Sequence, residues 1–281
     1  MPVGRPVRDA SLIHRRTYEL TSWQVAGPVE AIPVLLYHRL DLPLPKPAVL
    51  YYHGVMGRKE AHLDGPLTRR LADAGFAMVL PDAPGHGERP AASGLMDRLG
   101  ESLPREFCAD IEQAAEEAPV LVEWLSERPE VDRDRLGVLG HSMGGYTAAV
   151  VAARLRERLG AAVCIAGCGN LAHCMATTDE IGAGKAGPLN RSLDAETRDR
   201  IERIDPLLHP QGYAPLPLLL VHGERDTWNP PITSQEFAAK LRSSYASTPE
   251  QLRLVLVPDA PHWPLTRVMA EETVAWLLRF V

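Results

Sequence analysis

The stretch "LGHSMGGYTAAVVAARL", residues 139–155, decides the fold. The apolar run "RLGVL" leads into it, and small and apolar residues at helical spacing lead out. Between them, Gly140-His141-Ser142-Met143-Gly144 is a G-x-S-x-G match. A chain that turns abruptly from strand to helix strains the residue at the apex and brings neighbouring backbone close. Only tiny side chains then fit two positions to either side. Gly140 and Gly144 meet that demand. The hydroxyl of Ser142 would stand above the sheet, beside orphan N–H groups and the positive dipole end of a helix suited to a developing oxyanion. The same pattern occurs in glycine-rich turns without chemistry, so Ser142 is a candidate nucleophile only if partners exist.

Outward from this point, short apolar runs alternate with longer segments of helical period, which predicts a mostly parallel sheet covered by helices on both faces. "YELTSWQV" and "AIPVLLYHR" form an initial strand and an antiparallel second one. "AVLYYHG", "FAMVLPD", "RLGVLG", "AAVCIAG", "PLLLVHG" and "LRLVLVP" follow, each ended by Gly, Pro or Asp as suits strands buried on both faces. Helices are expected over 63–74, 105–126, 143–159, 232–241 and 265–280. The stretch 168–213 holds no buried strand. A loop of that length without structure is unusual in a compact domain, so it is expected to form a small helical insertion, or cap, after the sixth strand. The whole of 1–281 is expected to be one domain around that insertion. Within the insertion "GAGKAG" fails as a phosphate loop: Asp179 stands where the first glycine belongs, and Ala186 where Ser or Thr belongs.

In such a sheet, chemistry gathers on the rim formed by the carboxyl ends of the strands. A serine hydroxyl needs a positioned base, usually histidine, itself held by a carboxylate. "LLLVHGERDTWNPP" places Asp226 after one strand and "LRLVLVPDAPHWP" places His262 after the next. Rivals for the acid are Glu224, in the tight turn leaving its strand, and Asp259, in the loop of the base itself. Rivals for the base are His53, His86, His141 and His222, of which His53 and His222 precede a glycine at a strand end and suit a structural hydrogen bond. The order Ser142, Asp226, His262 is the chain order of α/β-hydrolases. "AVLYYHGVMGRKE" supplies a sharp turn whose backbone N–H at Val55, with Met56 in reserve, would join that of Met143 as the oxyanion hole. "PDAPGHGERP" is read as a loop beside the site, pinned by Asp82, His86, Glu88 and Arg89.

A net charge of −6 with both signs interspersed offers no footprint for nucleic acid or an anionic membrane. The N-terminus lacks a signal-peptide core, and the apolar run "PLPLLLV" is too short to span a bilayer. A cytoplasmic protein with a small-molecule partner is expected, the oligomeric state being open between monomer and homodimer. Cys108, Cys164, Cys168 and Cys174 fit no disulfide framework or zinc spacing, even with His173 nearby, and are read as buried thiols with no metal.

"YYHGVMGRKE", "LPDAPGHGER", "GHSMGG", "HGERD" and "PHWP", in that order, make the chain resemble the α/β-hydrolase superfamily from about residue 18 onward. More narrowly, it is similar to bacterial esterases related to dienelactone hydrolases and prolyl-oligopeptidase catalytic domains. The resemblance implies an eight-stranded, mainly parallel sheet, an acyl-serine intermediate and no cofactor. Ser142 departs from the cysteine of dienelactone hydrolases and from the aspartate of dehalogenases and epoxide hydrolases. With fewer than about 50 residues before "AVLYYHG", no propeller that would sieve peptides is expected.

The expectation is a serine carboxylesterase acting on short acyl chains, since aromatic residues are only 6% of the chain and the insertion is small. A thioesterase, peptidase, lactonase or acyltransferase would use the same three residues. A non-catalytic binding module on the same scaffold is the reading from another class.

Overall fold

The computed structural model describes residues 18–63, 65–89, 103–177 and 193–281. "GAGKAG" and the N-terminal seventeen residues lie outside the described residues. Eight strands form one sheet: β1 (Tyr18–Ala26), β2 (Ala31–Arg39), β3 (Lys46–Tyr52), β4 (Ala77–Pro81), β5 (Val131–His141), β6 (Ala161–Ile165), β7 (Leu218–Gly223) and β8 (Leu252–Val257). Their spatial order is β1-β2-β4-β3-β5-β6-β7-β8. The first two strands form an antiparallel hairpin, and β2 runs antiparallel to β4. All other pairs are parallel.

The strands alternate between two cores, as a period of two requires. From β3, Ala48, Leu50 and Tyr52 face one core, and Val49 and Tyr51 face the other. The first core is closed by α2 (Leu103–Ser126), α3 (Met143–Arg154) and α6 (Ile232–Leu241). The second is closed by α1 (Pro66–Asp73) and α7 (Arg267–Phe280). Between β6 and β7 lie the short helices α4 (Leu171–Thr177) and α5 (Ala195–Ile204) and two single 3₁₀ turns, with no strand among the described residues. Asp194 caps α5 by accepting the N–H of Thr197 at 2.7 Å.

Two boundaries differ from the sequence reading by four residues or more. β5 begins at Val131, because the exposed polar run 132–135 extends the strand past a bulge opposite Lys46 without carrying any apolar signal. The helix expected over 143–159 ends at Arg154, and the half-exposed "RER" forms a 3₁₀ turn instead. That turn lets the chain reverse, so that the N–H of Gly160 reaches the carbonyl of Leu136 at 2.7 Å and β6 can start. Among the described residues no helix is long and apolar enough to cross a membrane.

Candidate active site

Ser142 is the apex between β5 and α3, with φ 59° and ψ −121°. A non-glycine residue held there stores about 1–3 kcal/mol of strain, which the surroundings must impose. They do so by contact. A Cβ on Gly140 would overlap the carbonyl of Gly144, and one on Gly144 would overlap the carbonyl of Tyr52. The N–H of Ser142 donates to Ile165 at 2.9 Å, while its carbonyl accepts from Gly145 at 2.9 Å and Tyr146 at 3.2 Å. The apex is therefore tied to β6 on one side and to its own helix on the other.

The structure brings the three expected side chains together. Nε2 of His262 lies 2.9 Å from Oγ of Ser142, and Nδ1 lies 2.7 Å from Oδ2 of Asp226. All three residues are buried. Oδ1 of Asp226 accepts the N–H groups of Trp228 and Asn229, both at 2.9 Å. Burial alone would raise the Asp226 carboxyl, but hydrogen bonds from His222 and His262 overcome it and hold the pKa at about 2. The carboxylate is thus ionised throughout the neutral range. The indole of Trp228 stacks on the His262 ring at 5.1 Å, covering one face of the base.

The rival acids go elsewhere. Glu224 is exposed, and Asp259 is exposed and paired with Arg225. Among the rival bases, His141 has its Nε2 at 3.1 Å from the carbonyl of His262. Burial, reinforced by the neighbouring His262, lowers its pKa to about 3, so it is neutral and holds the backbone of the base. His53 accepts the N–H of Ala83 through Nε2 at 3.0 Å, so its Nδ1–H donates to the carbonyl of Gly54 at 2.8 Å. Burial lowers its pKa to about 3 as well, helped by His86.

Those bonds fix the turn carrying Val55. Gly57 closes the turn by donating to Gly54 at 2.8 Å, and His86 places Nε2 at 2.5 Å from the carbonyl of Val55. A Cβ on Gly54 would lie 3.2 Å from that of Ser142, so the turn passes directly beside the serine. Met143, the first residue of α3, presents its N–H at the helix terminus. Val55 therefore lies on the turn that passes beside Ser142, and Met143 directly follows the serine at the start of α3.

The "PDAPGHGERP" loop is pinned more deeply than short-range bonds would do. Asp82 accepts the backbone N–H and the buried ammonium of Lys59 at 2.8 and 2.7 Å. Burial would lower the Lys59 ammonium, but Asp82, Glu88 and Glu60 outweigh it and hold it protonated. Arg89 makes a bidentate pair with Glu117 of α2 at 2.8 and 2.6 Å, and its Nε adds Glu30 at 2.8 Å. Lys59 lies in "YYHGVMGRKE", but nothing there marks it as a partner of this loop, and Glu117 belongs to no motif; only the folded α2 and the turn after β3 bring them here. All four cysteines are buried and unbridged, and burial raises the Cys168 thiol to about 12.

His222, expected to make a structural hydrogen bond, makes it to the candidate acid, a partner that the sequence reading did not name. Its side chain lies behind Asp226, with Nε2 at 3.1 Å from Oδ2. The i, i+4 spacing in "HGERD" was the available signal, but a strand followed by a tight turn hides a spacing that is obvious on a helix.

With this geometry in view, comparisons place the chain. A profile of the prolyl oligopeptidase family matches residues 67–281. YitV of Bacillus subtilis, a candidate esterase, is 28% identical over 232 residues, covering 82% of this chain and 88% of that protein. Dipeptidyl-peptidase 5 of Porphyromonas gingivalis is 27% identical over 203 residues, covering 70% of this chain but only 27% of the relative. The acetyl xylan esterase from Paenibacillus sp. R4 superposes with a TM-score of 0.69 at 17% identity, covering all of this chain and 89% of that one. The chain, an esterase-like α/β-hydrolase, belongs to the prolyl oligopeptidase family.

Proposed function

We propose that this protein is a serine carboxylesterase that cleaves small-molecule esters through an acyl-serine intermediate. One observation carries the reading: His262 bridges Ser142 and Asp226 at 2.9 and 2.7 Å on the carboxyl rim of the sheet. His262 takes the proton of Ser142 as Oγ attacks the ester carbonyl. Asp226 holds the imidazole tautomer and stabilises the imidazolium. The N–H groups of Val55 and Met143 receive the oxyanion, each such donor being worth about 10²–10³ in rate. His262 returns the proton to the leaving alcohol, then activates water to release the acid.

Apolar side chains next to these groups favour an uncharged substrate. Met56 follows Val55 and is 54% exposed, Trp263 follows His262 and is 59% exposed, and Trp228 covers the base. The described parts of the expected insertion, 168–177 and 193–213, are proposed as part of a cap beside this rim, with short acyl chains the better fit; residues 178–192 of it lie outside the described residues. The resemblance to a dipeptidyl-peptidase favours a second reading, amide cleavage by the same residues.

A fluorophosphonate probe read by intact mass tests the proposal. The native chain should gain one adduct and Ser142→Ala none; a native chain that gains none overturns the reading. A panel of p-nitrophenyl esters from acetate to palmitate beside aminoacyl p-nitroanilides separates the two readings and the chain-length preference.

A further inference from the structure

The environment of His222 is built with more care than a packing residue needs. It sits one residue before the end of β7 with no exposed surface. Its Nε2 faces two acceptors, Oδ2 of Asp226 at 3.1 Å and the carbonyl of Asn229 at 2.8 Å. Only a protonated nitrogen satisfies both, so Nε2 carries hydrogen. Its Nδ1 lies 2.5 Å from the hydroxyl of Ser234 on α6, which can donate to it, and Cys168 lies 3.1 Å behind that hydroxyl. The ring is thus fixed in orientation and in tautomer from both sides.

The consequence falls on one atom. Oδ2 of Asp226 receives Nδ1–H of His262 and Nε2–H of His222, while Oδ1 is occupied by the two backbone N–H groups of Trp228 and Asn229. A carboxylate oxygen that already accepts one N–H gives less charge to a second, and its direction is set by both. We infer that His222 is a positioning residue: it aims Oδ2 of Asp226 at His262 and moderates how strongly that oxygen stabilises the His262 imidazolium. This rests on the esterase reading for its catalytic meaning, but the hold on Asp226 is independent of any substrate. The titratable groups facing His222 are Asp226 on its own loop, His262 from the loop after β8 and Cys168 from the loop after β6. His141 lies beyond the backbone of His262.

His222→Leu removes the donor, whereas His222→Gln returns an amide N–H near the position of Nε2. With Oδ1 still held by two N–H groups, the Asp226 carboxylate stays at the site, but Oδ2 loses its second donor: it is aimed less firmly at His262 and stabilises the His262 imidazolium more strongly. The acid limb of kcat/KM for p-nitrophenyl acetate should therefore move up by about one pH unit in His222→Leu and return in His222→Gln. kcat at neutral pH should fall about tenfold in the Leu variant, with KM little changed, as expected when orientation rather than binding is lost. A folded Leu variant with the native pH profile, or equal shifts in both variants, would overturn the inference.

Should His222→Leu fail to fold, Ser234→Ala provides the second arm: it frees Nδ1 and should move the acid limb in the same direction by a smaller amount. An unmoved limb there overturns the inference. The downfield proton resonance of the Asp226–His262 bond gives a readout without substrate. If the native chain hydrolyses no ester, yet that resonance moves in His222→Leu and not in His222→Gln, the esterase reading fails while the hold on Asp226 stands.

Discussion

Three buried histidines should make this protein acid-labile over a defined window. Burial lowers His53 to about 3, His62 to about 4 and His141 to about 3, against an ordinary value of 6.5. Because all three are depressed, the unfolded chain binds each proton first. The stability they contribute is complete above about pH 6.5 and is lost as pH falls toward 4 and 3. At about 1.4 kcal/mol per proton and pH unit, three protons give a slope of about 4 kcal/mol per unit between pH 6 and 4.5. Integrated to pH 5, the loss is about 6 kcal/mol, comparable with the whole stability of a typical domain of about 5–15 kcal/mol. Asp226, held at about 2, extends the same trend below pH 3.8, where the unfolded carboxyl protonates first. Urea unfolding followed by circular dichroism from pH 8 to 5 measures this directly. His62 packs against Tyr51 with ring centres 4.3 Å apart and takes no part in the proposed chemistry. His62→Gln should therefore cut the slope by one third, to about 2.7 kcal/mol per unit. A stability that is flat between pH 7 and 5, or a slope unchanged in His62→Gln, would refute the reasoning.

Asp226→Asn should leave the fold intact but cost about 10⁴ in kcat, because an amide NH₂ placed at Oδ2 faces two imidazole donors and forces the wrong tautomer on His262. Ester turnover beside a thermal melt checks it. Glu117→Gln should destabilise by about 1–3 kcal/mol, since it removes one of the two acceptors of the buried Arg89 fork while Glu30 still holds its Nε. The paired change Arg89→Met with Glu117→Leu should recover much of that loss in denaturant unfolding. Gly140→Ala should lower Tm and remove ester turnover together, because its Cβ overlaps the carbonyl of Gly144 and only movement of the Ser142 apex relieves it.

The fold was legible in the sequence because the inner strands β2, β3, β4, β6 and β7 and the second half of β5 are apolar runs bounded by turn residues and buried as a doubly covered sheet demands. The edge strands β1 and β8 are half-exposed. β5 shows the limit. After the buried Val131 its residues 132–135 are polar, so backbone pairing with Lys46 extends the strand where hydrophobic periodicity has nothing to report. The site was legible where a residue's neighbours in sequence are also its neighbours in space. Gly140 and Gly144 flank Ser142 in both senses, and Asp226 and His262 each follow a readable strand. What stayed hidden depends on contacts between distant segments. Lys59 meets Asp82 across 23 residues, Arg89 meets Glu117 across 28, and His141 meets the His262 carbonyl across 121. His222 was visible but looked structural, since its partner Ser234 lies on a helix whose placement no local pattern supplies.

The central claim is that Ser142 carries the acyl group. Rapid quenching of the native chain with p-nitrophenyl acetate, followed by digestion and mass mapping, tests it most directly. The account predicts one acetyl group, on Ser142, accumulating in a burst before steady turnover and absent from Ser142→Ala. Ester turnover with Ser142 unmodified, or Ser142→Ala hydrolysing the ester at the native rate, would contradict it.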